Sequence, residues 1–123
     1  MAVPILKQGP FLIASIQSAL TDTDVLQLRD DVMQQVTRHR SRGIIVDVTA
    51  LDVMDSFGSR TLRNLAHAAR LRGAETVIVG IQPEVAFAMV QLGMSFEDVQ
   101  TALDLEEGLA LLQARREPAD GAG

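Results

Sequence analysis

GIIVDVTALDVMDSFGSRTLRNLAHAARLRGAETVIVGI, residues 43–81, decides how this chain folds. It holds two short apolar runs rich in β-branched residues, IIVDV at 44–48 and TVIVGI at 76–81. Runs that are apolar at nearly every position mark strands buried on both faces, as in parallel sheets. Between them Leu62, Leu65, Ala66 and Ala69 recur at helical spacing, and Gly73 ends the pattern. Strand, helix, strand makes a βαβ unit with an expected right-handed crossover.

The flanking segments extend the same plan. PILKQG and FLIASIQ read as two short strands joined around Gly9 and Pro10. SALTDTD, residues 18–24, is a turn rich in helix-capping residues, followed by Val25, Leu28, Val32 and Val36 at helical spacing. Gly43 is the expected end of that helix. Gln82-Pro83 opens a third helix, with Val85, Met89 and Leu92 expected inward and Gly93 at its close. Phe96 to Ala102 supplies a last strand, and Asp104 caps a final helix whose stripe is Leu105, Leu109 and Leu112. The expectation is one α/β domain over residues 1–116, with a mixed, mostly parallel sheet of four to five strands and about four helices. Residues 117–123, at the end of the breaker-rich REPADGAG, are expected to form a disordered tail.

Bulk properties narrow the function. At 123 residues the chain can bury about two thirds of its unfolded surface without staples. It has no cysteine, which excludes disulfides, thiolate catalysis and thiolate zinc sites and fits a reducing cytoplasm. MAVPILKQGP lacks the charged start and apolar core of a signal peptide. No apolar run approaches the roughly 18 residues of a membrane span. A soluble cytoplasmic domain without a membrane partner is expected. The net charge of −5 and the 3% aromatic content speak against nucleic acid. The local basic cluster Arg38, His39, Arg40 and Arg42 falls at a helix end, where positive charge complements the dipole.

Catalytic patterns are missing. The sequence has neither a GxxxxGKS/T phosphate loop nor a GxGxxG fingerprint. The string DSFGS is not a GxSxG nucleophile elbow. His39 and His67 fit no metal-ligand spacing. Ser56 and His67 are separated by about 16 Å along a helix, too far for a serine–histidine pair. Asp47, Asp52 and Asp55 read as turn and cap residues, because nothing supplies the phosphates that complete a magnesium site. No cofactor and no metal are expected, and a small nucleotide-binding enzyme is the remote alternative.

Position offers two readings of VMDSFGSR, residues 53–60. Ser56 is a natural N-cap, accepting from the amide of Gly58 or Ser59, with Asp55 as a competing cap. An exposed hydroxyl at a helix start is equally an accessible phosphoacceptor, and phosphate there adds about −1.5 to −2 charges. The helix dipole tolerates that charge, while Asp52 and Asp55 repel it.

The order strand, then DS at a helix start, resembles a STAS domain of the anti-anti-sigma type. SIQ at 15–17, DVTALDVMDSF at 47–57, GIQPEVAFAMVQLGM at 80–94 and TALDLEEGLALL at 101–112 are similar to the stressosome branch of that family, from about Ile5 to Leu112. The chain starts at the first strand, which favours the single-domain RsbS type over the RsbR type with its extra sensory domain. The resemblance implies a non-enzymatic scaffold that joins RsbR-type paralogues in a large hetero-oligomer or self-associates. It would sequester an RsbT-type serine/threonine kinase, be phosphorylated on Ser56 and release the kinase, and a serine phosphatase would reset it. The alternative within the family is an anti-anti-sigma factor that binds its kinase one to one. Ser59 and Thr23 are the secondary phosphoacceptors, Thr23 reading first as a cap. Asp55, Phe57, Gly58, Ser59 and Arg60 are the expected partner-binding residues.

Overall fold

A computed structural model describes residues 3–94, 96 and 98–116. The tail expected over 117–123 lies outside the described residues. The chain runs β1 (Ile5–Gln8), β2 (Phe11–Ser15), α1 (Asp22–His39), β3 (Gly43–Asp47), α2 (Ser56–Leu71), β4 (Glu75–Val79), α3 (Pro83–Gln91), β5 (Gln100–Ala102) and α4 (Leu105–Arg116). Five strands form one sheet in sequential order. β1 and β2 make an antiparallel hairpin that sets Gln8 opposite Phe11. The remaining neighbours are parallel, with Leu12 beside Ile44, Ile45 beside Val77 and Val77 beside Gln100.

The alternation of side chains along a strand divides the core between two faces. Leu12, Ala14, Ile44, Val46 and Ile78 point toward α1 and α2 and pack with Leu28, Val32, Val36, Leu62 and Leu65. Phe11, Ile13, Ile45, Val77 and Val79 form the other layer with Leu112. Because both faces are covered, β3 and β4 read as unbroken apolar runs rather than as alternating ones.

Three details differ from the sequence expectation. α1 ends at His39, and Arg40, not Gly43, closes it in a left-handed conformation at φ 50°, its amide bonded to the carbonyl of Val36. Gly43 instead begins β3, where an added Cβ would lie 2.8 Å from Leu112 Cδ1 and 2.9 Å from Phe11 Cδ1. The glycine is a packing requirement of α4 on the sheet. Thr21, not Thr23, caps α1, in a capping box with Asp24. Leu92 is 71% exposed rather than inward, since it lies just past the last helical residue of α3 and off its buried Val85–Met89 face. Asp104 does cap α4, its Oδ1 accepting from the Glu107 amide at 2.9 Å.

Candidate functional site

α1, α2 and α3 each start after a strand of the parallel part of the sheet has ended, so their N-termini gather at its carboxyl edge. Open α/β sheets present their sites at that edge. Residues 48–54 carry the chain from β3 to α2 there. Asp47 shapes this loop by accepting from both the amide and the hydroxyl of Thr49, at 2.9 and 2.6 Å. Gln82, at the start of α3, donates its side-chain amide to the Thr49 carbonyl at 2.7 Å. Gly80 passes close by at φ 80°, and a side chain at that position would run into Thr49 Oγ1.

The helix start decides which side chain caps α2. Asp55 is the N-cap: its backbone is extended and its Oδ1 accepts the Gly58 amide at 2.7 Å. Ser56 is therefore not the cap but the first helical residue, exposed, its hydroxyl without a hydrogen bond to a described residue. Aspartate prevails because its carboxylate supplies a charged acceptor to the amides at the positive end of the helix. The absence of a side chain on Gly58 lets that oxygen approach, since a Cβ there would sit 3.2 Å from it. Phe57 and Gly58 are half-buried, Arg60 is exposed, and Ser59 is turned inward at 3% exposure. Thr23 is exposed on the first turn of α1 and lines neither hollow beside α2.

Two hollows flank the start of α2. An apolar one of about 190 Å³ runs between the starts of α1 and α2, lined by Ile16, Leu20, Leu51, Val53 and Met54 and closed by Asp55 and Gly58. Val53 is 65% exposed at its rim. The second, about 150 Å³, is polar: Ser56, Ser59, Arg60 and Arg63 line it with Gly93 and Met94 from the turn after α3. Arg63, Gly93 and Met94 were not among the residues expected at the site. The spacing of Arg63 from Ser56 is readable in the sequence, whereas the approach of the 93–94 turn is not.

Among the described residues no group of three metal-ligating side chains is assembled. His67 Nε2 is buried without a hydrogen-bond partner. No helix of the described residues is long and apolar enough to cross a membrane.

Among the described residues, a five-stranded mixed sheet in sequential order with four helices matches the STAS class of α/β domain. Residues 2–108 match the STAS domain, and the chain belongs to that family. It is 32% identical to a serine-to-glutamate variant of RsbS from Moorella thermoacetica, with a TM-score of 0.80 over 92% of this chain and 96% of that one. It is 31% identical to a chain of the stressosome, described as a signal integration and transduction hub, with a TM-score of 0.74 over 91% of this chain and 97% of that one. The RsbT co-antagonist protein RsbRA of Bacillus subtilis (strain 168) is 30% identical over 83 residues, 68% of this chain. That match spans 30% of RsbRA's own length.

Proposed function

We propose that this chain is a phosphorylation-controlled scaffold of bacterial stress signalling. It assembles with RsbR-type STAS paralogues into a large hetero-oligomer, holds an RsbT-type serine/threonine kinase, and releases it once Ser56 is phosphorylated. A serine phosphatase resets the site. The carrying observation is the exposed hydroxyl of Ser56, hydrogen-bonded to no described residue, beside a cap that Asp55 supplies. The near-complete mutual coverage with an RsbS chain supports the scaffold role. So do the large apolar side chains left exposed at Phe87 and Val90 on α3, of the kind that mark interaction surfaces.

In the transfer, Ser56 Oγ bonds to the γ-phosphorus of the kinase's ATP as the bond between that phosphorus and the β,γ-bridging oxygen breaks. ADP leaves, and the hydroxyl proton passes to a base of the kinase. The nucleotide and the catalytic groups belong to the kinase, so this chain acts as substrate. Because Asp55 caps the helix, modification of Ser56 leaves the first turn intact and changes the surface charge. Asp55, Phe57, Gly58 and Arg60 surround the acceptor as the partner-facing set, and Ser59 lies beneath them.

Incubation with the cognate kinase and ATP, followed by peptide mass spectrometry, tests the site. Wild type and Ser59→Ala should carry phosphate, and Ser56→Ala should not. Labelling of Ser56→Ala at the wild-type level would overturn the assignment. Light scattering of a mixture with an RsbR-type paralogue tests the scaffold: a megadalton particle supports it, and a persistent small complex overturns it in favour of a simple anti-anti-sigma factor.

A further inference from the structure

Ser56, Arg60 and Arg63 stand at i, i+4 and i+7 on α2, which places all three on one side of the helix. Long helical side chains lean toward the N-terminus, which from positions 60 and 63 is the direction of Ser56. The three residues line the same polar hollow, closed from the other side by Gly93 and Met94. Neither guanidinium forms an ion pair or a hydrogen bond with a described residue. A second feature points the same way. Ser59, only 3% exposed, lends a further hydroxyl to the lining of this hollow.

The hollow is thus furnished with donors, and the described residues that line it include no carboxylate. The acidic neighbours lie outside it: Asp55 has an oxygen engaged by the Gly58 amide, and Asp52 is exposed in the preceding loop. A guanidinium offers a planar fork of N–H groups that matches phosphate oxygens, and such charge-assisted bonds are about twice as strong as neutral ones. A phosphate on Ser56 would be tethered at the mouth of this donor set.

We propose that Arg60 and Arg63, with the Ser59 hydroxyl, form an intramolecular receiver for the phosphate carried by Ser56. This rests on Ser56 as the modified residue and adds how the modification is read. The unmodified surface presents two cations that no described residue compensates, beside the acceptor. The modified surface presents a phosphate held by them, so phosphorylation withdraws both arginines from a partner as it adds charge.

The test places phosphoserine at position 56 during translation, without any kinase, and follows the phosphate by ³¹P NMR titration. Its second ionisation in the otherwise wild-type chain should lie roughly half a unit or more below that in the Arg60→Gln/Arg63→Gln double variant, because nearby cations favour the dianion. Each single variant should fall between, and Arg60→Lys/Arg63→Lys should retain part of the shift. Indistinguishable titrations in wild type and double variant would overturn the receiver. That result would leave Ser56 as the kinase's target untouched, whereas failure of the kinase to label Ser56 would leave the receiver's titration standing.

Discussion

Asp55 Oδ1 lies 2.7 Å from the Gly58 nitrogen and accepts its hydrogen bond, so the α2 cap is closed without Ser56. Ser56, which lies between them, can then change chemically while the helix start holds. That division of labour makes capping and modification separable by mutation.

Asp55→Ala is expected to cost about 1 kcal/mol of folding stability, the usual loss on removing an N-cap. Ser56→Ala should stay within about 0.5 kcal/mol of wild type, as an exposed substitution away from such features does. Urea unfolding of the two variants checks this, and an equal loss in both would show that the serine shares the cap.

Gly108→Ala should destabilise although it sits in a helix. Alanine ordinarily gains up to about 1 kcal/mol over glycine there. Here its Cβ would meet Val79 Cγ1 at 2.7 Å and Ile45 Cδ1 at 3.2 Å, both in the buried layer under α4. Overpacking of this kind costs about 1–3 kcal/mol and outweighs the propensity. A fall in the thermal midpoint is expected; a rise would show that α4 shifts freely.

Gly80→Ala should loosen the loop that leads to the site. The backbone at φ 80° disfavours any side chain, and this one would displace Thr49 from Asp47. A loss of more than about 1 kcal/mol is expected. Faster exchange of the Thr49 amide, which bonds to Asp47 Oδ1 at 2.9 Å, would locate the damage.

Val53→Asp tests the apolar hollow as part of the kinase-facing surface. Val53 is exposed at its rim, next to Met54 and Asp55, so a charge there should weaken kinase binding by roughly tenfold, the scale of a single interfacial anchor. Stability should change by less than about 0.5 kcal/mol. Unchanged affinity in a titration calorimetry experiment would remove the hollow from the interface.

Much of the architecture was legible because burial on two faces leaves a direct mark on composition. IIVDV and TVIVGI could be recognised as central strands, and the stripes of Leu28, Val32 and Val36 and of Leu62 and Leu65 as the helices that cover them. Gly43 was misread because a glycine after a helical pattern has two uses, ending the helix or admitting a neighbour. Nothing local says that Leu112, far along the chain, must rest on it. Thr23 and Thr21 are equally plausible caps by type, and only the backbone turn selects Thr21.

At the site the same boundary holds. By itself the sequence determined that a serine follows an aspartate at the start of α2, and that Arg60 and Arg63 recur on its side of the helix, because helical period is a property of neighbours in the chain. Tertiary structure alone decided that the carboxylate of Asp55 takes the cap, that Ser59 turns inward, and that Gly93 and Met94 close a hollow over the arginines. The first two depend on the backbone direction at the helix start, and the last on contact between segments about thirty residues apart, fixed only when the sheet brings the helix starts to one edge.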